Sequence, residues 1–298
     1  MTTFEVTDSV YGIDTELFGP SFTSVYLFDD DEPTLVDSGP AANVDTVVEG
    51  LREIGFDPGT LENVVLSHVH ADHSGGAGAL LEHAPEADVY IHEMTAPHLI
   101  DPSGLIESSR QAMGDHFEAI GEQTPVPEDN VVTVPDSGAT IDIGTTSLEL
   151  VYAPGHSPDH FAVYNPEREL CFSAECIGSY LEDADQWVPP STLPNFDPEA
   201  CERAIDRVEA LDPERIVFPH YGVWPGDPEA AFETAREELR RFDDRIRELY
   251  DDAGTIDGTR RAVADELIDI APPYSEAVES FYAALITDGY LKHHGVDV

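Results

Sequence analysis

At 298 residues the chain can hold one large domain, or one domain with a small appendage. Its 61 acidic residues outnumber 14 basic ones, for a formal net charge of −47, and a hydrophobic fraction of 41% still supports a real core. Three cysteines, Cys171, Cys176 and Cys201, exclude a disulfide framework of any size, and no stretch approaches the ~20 apolar residues of a membrane span. The carboxylates run along the whole length instead of forming a tail, and such self-repulsion is relieved where molar salt shortens the Debye length to about 3 Å. The composition therefore points to a soluble, cytoplasmic protein of an extreme halophile, archaeal in type. The N-terminus has neither the basic start nor the apolar run of a signal peptide.

In chain order, β-like runs are expected at Thr3–Val6, Ser24–Phe28 and Thr34–Val36, then a helix over about Ala42–Ile54. A short buried strand, Asn63–Leu66, delivers a histidine cluster; a helix after Ser74 and a strand at Asp88–Ile91 follow. From Pro97 to Pro127 helical and turn signals mix. Five strands are expected at Val131–Val134, Thr140–Ile143, Ser147–Tyr152, Phe161–Tyr164 and Leu170–Phe172. Asp197-Pro198 caps a helix reaching about Leu211, and Arg215–Phe218 is the last strand. Two successive sets of strands and helices imply two sheets with helices outside them.

After Gly226 the pattern is helical. Asp227-Pro228 caps a helix whose Phe232, Ala235, Leu239, Phe242, Ile246 and Leu249 form one stripe. Packing within its own domain is the expected use of that stripe, and a homodimer seam is the alternative. Helices over about Thr259–Ile270 and Ser275–Thr287 complete the chain, so the domains are 1–225 and a helical appendage, 226–298. Residues 254–298 carry eight acidic and three basic groups, the wrong sign for phosphate contacts.

The chemistry is concentrated in His68-Val69-His70-Ala71-Asp72-His73. Four metal-competent side chains in six residues can hardly all serve one ion. In an extended segment His68 and His70 face one side, while Asp72 and His73 lie past the bend, which suggests two adjacent metals. His156, Glu175 and His220 each follow a strand-like run, where separate segments can converge on one site. His83, His92, His98 and His116 read as surface or core residues, His293-His294 as a solvated end, and Cys171 and Cys201 as apolar packers.

With these landmarks in order, the chain resembles the metallo-β-lactamase-fold hydrolases, in the branch containing glyoxalase II-like enzymes. The matching elements are His-x-His-x-Asp-His, the Pro-Gly-His ending at His156, the acidic position after Phe172-Ser173, the final His220, and the early turn Asp37-Ser38-Gly39. The resemblance implies an α/β fold, a four-layered αββα sandwich, with a winged-helix-like appendage at the C-terminus. It implies one metal held by His68, His70 and His156 and a second by Asp72, His73 and His220, with Glu175 bridging and Asp37 accepting the other ring proton of a liganding histidine.

Two divalent ions are implied, zinc first, with iron or manganese as alternatives. The implied reaction is attack of metal-bound hydroxide on a thioester, ester or lactone, with Asp72 orienting the hydroxide and helping to move its proton. The family usually has aspartate where this chain has Glu175, and some relatives have cysteine; Cys176 is therefore an alternative bridge, and a single-metal enzyme stays open. Tyr180, Tyr221 and His160 are candidate contacts to a small-molecule substrate. Rival readings are a nuclease of the same superfamily, a mononuclear iron persulfide dioxygenase, and a non-enzymatic relative.

Overall fold

Two sheets stack through a shared apolar layer in the computed structural model, which describes residues 3–298. The first contains β1 (Thr3–Thr7), β2 (Val10–Asp14), β3 (Ser24–Phe28), β4 (Thr34–Val36), β5 (Asn63–Val65), β6 (Asp88–His92) and β7 (Val131–Val134), in that spatial order. Pairing is antiparallel through β4 and parallel from β4 to β7. The second contains β8 (Ala139–Asp142), β9 (Ser147–Tyr152), β10 (Phe161–Asn165), β11 (Leu170–Phe172), β14 (Arg215–Phe218) and β15 (Gly222–Val223), ordered β15-β14-β11-β10-β9-β8. A separate ribbon, β12 (Ser179–Leu181) with β13 (Gln186–Val188), lies between β11 and β14 in sequence.

Strands buried on both faces explain the continuous apolar runs. In β3, Tyr26 and Phe28 enter the layer between the sheets, while Val25 and Leu27 pack outward. In β14, Val217 points inward, while Ile216 and Phe218 point outward. The outer face of the first sheet is covered by α1 (Val44–Glu53), α3 (Ala77–Leu80) and α4 (Ala96–Ile100). On the outer face of the second, α7 (Pro198–Glu209) and α8 (Pro228–Ala253) pack in one apolar cluster that α9 (Ile256–Glu266) and α10 (Glu276–His293) extend. The result is helix, sheet, sheet, helix.

Asp197 and Asp227 cap α7 and α8 as expected, accepting from Ala200 N at 2.9 Å and Glu229 N at 3.0 Å. The α8 stripe from Phe232 to Leu249 is buried in one cluster with Ile205 of α7 and Tyr290 of α10, so it packs within the chain. After Val223 there are only helices among the described residues, so the C-terminal region carries no β wing. No helix is long and apolar enough to cross a membrane among the described residues.

Several elements differ from expectation. β2 was not anticipated because Gly12 and Asp14 interrupt its apolar run. Gly12 is required by packing: a Cβ there would lie 2.1 Å from the Phe4 ring. The helix expected after Ser74 is two short pieces, α2 (Ala71–Ser74) and α3, and it begins inside the histidine motif. The mixed stretch 97–127 holds α4, α5 (Ser103–Met113) and α6 (Phe117–Ile120).

Candidate metal centre and pocket

Asp37, the His68 segment, His156, Glu175 and His220 all follow strand ends, those of β4, β5, β9, β11 and β14. Their donor atoms form two groups: His68, His70, His156 and Glu175, and Asp72, His73 and His220. Glu175 touches both. Its Oε2 lies 2.9 Å from His156 Nε2 and 3.4 Å from His68 Nε2, and also 3.1 Å from His73 Nε2; its Oε1 lies 3.6 Å from His220 Nε2. Asp72 Oδ2 lies 3.4 Å from His220 Nε2 and 3.5 Å from His73 Nε2.

The outer nitrogens of His68, His73, His156 and His220 are each engaged by an oxygen, which leaves their inner nitrogens available as donors to a cation. His156 Nδ1 donates to Pro190 O at 3.1 Å and His220 Nδ1 to Phe22 O at 3.0 Å. His73 Nδ1 donates to Asp37 Oδ2 at 2.8 Å. Ser67 gives its hydroxyl proton to Asp37 Oδ2 at 3.0 Å, so its oxygen accepts from His68 Nδ1, also at 3.0 Å. His70 turns the other nitrogen inward: its Nδ1 is 2.9 Å from His68 Nε2 and 3.0 Å from His156 Nε2. Nitrogens of three rings converging at such spacing beside a carboxylate are an arrangement that fits ligation of one cation.

Electrostatics agree. Burial, reinforced by the neighbouring histidines, pushes His68 well below the usual histidine range and His70 down to about 4, so both are neutral ligands near pH 7. His73 behaves oppositely: burial alone would lower it, yet Asp72, Asp37 and Glu175 hold it well above that range. A pocket with three carboxylates around one imidazole calls for positive charge, supplied by a proton or a metal. Buried His73 Nε2 makes no well-aligned hydrogen bond, although Glu175 Oε2 lies 3.1 Å away. The donor set therefore fits divalent cations, with nitrogen and carboxylate ligands in the types that zinc, iron and manganese accept.

Four candidates from the sequence lie elsewhere. Cys176 donates its thiol to Ser173 O at 2.9 Å within an apolar cluster, so it is not the bridging group. His160, named as a substrate contact, is fully buried behind the centre, and its Nε2 accepts the Glu175 N–H at 3.1 Å. Tyr180 donates to Asp185 Oδ1 at 2.8 Å on the β12–β13 ribbon, and Tyr221 packs on Phe4 with centroids 5.5 Å apart. None of these three side chains lines the pocket over the centre.

That pocket, with a cavity volume of about 140 Å³, is walled by segments far apart in sequence. Phe18 and Phe22 come from the β2–β3 loop, Met113 from α5, and Phe281, Tyr282 and Leu285 from α10. Asp14 fixes the first segment by accepting from Glu16 N and Ser21 N, both at 2.8 Å. Sequence reading also missed Asp159, whose Oδ2 accepts from Val69 N at 2.9 Å and Thr95 Oγ1 at 2.8 Å, pinning the His68–His70 turn. An aspartate three residues after His156 was the available signal. Through Ser191 Oγ, which donates to Ile286 O at 2.8 Å, α10 also holds the loop whose Pro190 carbonyl orients His156.

Comparison with known proteins agrees with this geometry. Residues 18–220, more than half of the chain, match the model of the metallo-beta-lactamase superfamily. The metallo-beta-lactamase fold-containing protein ST1585 of Sulfurisphaera tokodaii is 26% identical over 209 residues, covering 68% of this chain and 74% of that protein. Its solved structure gives a TM-score of 0.64 at 23% identity, over 78% of this chain and 86% of that one. An acyl-coenzyme A thioesterase, MBLAC2 of Homo sapiens, is 25% identical over 182 residues, 54% of this chain and 56% of its own length. An N-acyl homoserine lactonase, AiiA of Bacillus thuringiensis subsp. kurstaki, is 26% identical over 193 residues, 59% of this chain and 62% of its own length. The chain thus spans less than two thirds of the thioesterase and of the lactonase. On the matched model, the fold and the ordered donor residues, the chain belongs to the metallo-beta-lactamase superfamily.

Proposed function

We propose that the protein is a dinuclear metal hydrolase that cleaves a thioester, ester or lactone. The observation that carries this reading is the Glu175 carboxylate, within 3.6 Å of histidine nitrogens from both donor groups. His68, His70 and His156 would hold one ion and Asp72, His73 and His220 the other, with Glu175 across both. Two divalent ions there would polarise the substrate carbonyl and supply hydroxide near neutral pH. Asp72 lines the pocket and is the carboxylate that orients the attacking water and relays its proton toward the leaving group. Asp37, Pro190 O and Phe22 O hold the rings in the required tautomer. The names of the thioesterase and lactonase relatives support ester-type chemistry.

The excess of 61 acidic over 14 basic residues supports a second part of the proposal, that this enzyme works in molar salt, in the cytoplasm of an extreme halophile. The reaction is tested by hydrolysis assays on protein loaded with zinc, iron or manganese in molar KCl. Asp72→Ala and His156→Ala are expected to abolish turnover while far-UV circular dichroism stays native. Full activity in both variants contradicts the assignment. Oxygen uptake with a persulfide, in place of hydrolysis, assigns the centre to dioxygenase chemistry instead.

A further inference from the structure

We infer that the substrate is an acyl compound with an apolar acyl chain and an uncharged leaving group, an inference that rests on the proposed hydrolysis but concerns what the pocket admits. Leu17, Phe18, Phe22, Met113, Phe281 and Leu285 supply a largely apolar wall, as expected for burying a hydrocarbon chain. Around the centre the charged lining groups are Asp72 and Glu175, and no lysine or arginine lines the pocket among the described residues. The only cation on α5, Arg110, is turned away onto the Phe117 ring at 4.4 Å and onto Glu122 Oε1 at 2.7 Å. Lys292, the only lysine, stands exposed near the end of α10.

A phosphate or carboxylate drawn into this pocket with the leaving group would therefore lose water without gaining a cation. Ions held by His68, His70, His156, Asp72, His73 and His220 would be engaged at the scissile carbonyl and would not serve that purpose. The neutral polar groups that remain, Ser109, Thr192 and the Tyr282 hydroxyl, suit an uncharged ester, thioester or lactone head. Hydrolysis then consumes one water: its oxygen forms the new acyl C–O bond as the bond to the leaving oxygen or sulfur breaks, one of its protons neutralises the departing alkoxide or thiolate, and the acid product releases the other.

The experiment compares decanoyl thioesters of coenzyme A, of glutathione and of N-acetylcysteamine on the metal-loaded protein in molar KCl, with acetyl-N-acetylcysteamine as the short-chain control. The neutral decanoyl thioester is expected to exceed both anionic ones by about 10-fold or more in kcat/KM, and to exceed the acetyl compound similarly. Ala112→Arg, which puts a cation on the pocket lining, is expected to narrow the gap to the anionic thioesters. Equal or faster hydrolysis of the coenzyme A thioester overturns the inference while leaving the hydrolase reading intact. Thermal stabilisation by non-hydrolysable decanamides is measured in parallel, one with a neutral head and one with a sulfonate. If nothing is hydrolysed yet only the neutral amide raises Tm, the reaction is wrong and the pocket assignment stands. Equal shifts, or none, overturn the inference.

Discussion

Asp37 shows how much of the centre depends on residues outside the ligand set. It adopts φ +60, a left-handed conformation uncommon for a residue with a side chain, and both its oxygens are used. Asp37→Asn keeps the backbone, since asparagine tolerates that region, but weakens the acceptor for His73. Metal affinity is expected to fall by about 10–100-fold, with Tm of the metal-free protein nearly unchanged. Competition with a chelator measures this. Away from the centre, Asp30 latches the β3–β4 and β8–β9 loops. Burial opposes its charge, but hydrogen bonds from Thr145, Asp31 and Thr146 outweigh that and hold it at about 2, against an ordinary 3.8. A depressed carboxylate stabilises the fold above its unfolded pKa and loses that contribution as pH falls through the folded one. The stability difference between wild type and Asp30→Asn is therefore expected to be constant above about pH 5 and to shrink as pH falls toward 2 in urea titrations.

At the level of elements, α10 is part of the site. It supplies Phe281, Tyr282 and Leu285 to the pocket and lies against the loop that carries the His156 acceptor. Gly289 permits this approach: a Cβ there would meet Ser191 Oγ at 2.3 Å and Thr192 N and O at 2.8 Å. Gly289→Ala is expected to destabilise the protein by about 1–3 kcal/mol and to weaken metal binding by moving Pro190. A variant that matches wild type in both Tm and metal affinity would show that α10 does not position the centre. The His68–His73 run, His156, Glu175 and His220 were legible in the sequence because each is a metal-competent residue placed after a strand-like run. The pocket wall was not, since Phe18, Met113 and Phe281 carry no local sign of what they face. Short elements escaped too: β15 has two residues, and the β12–β13 strands three each. Their pairing is decided by tertiary contacts, not by propensity.

For the whole molecule, the dominant fact is charge. Ion pairs such as Arg236 with Asp206 and Glu209, and Arg245 with Glu248 and Glu266, employ some of the few cations, yet net charge remains −47. Surface pairs of this kind contribute about 0–1 kcal/mol each, too little to offset the summed repulsion. Tm is expected to rise steeply from 0.1 to 3 M KCl; a flat or falling curve contradicts adaptation to salt. The two sheets, their outer helices and the C-terminal helices then hold one centre at the ends of five strands. Metal content per chain, measured by mass spectrometry on protein purified in molar salt, tests that centre most directly. Two divalent ions per wild-type chain, falling toward one in Glu175→Ala, are expected; one ion in wild type, unchanged by that substitution, would contradict a dinuclear site bridged by Glu175.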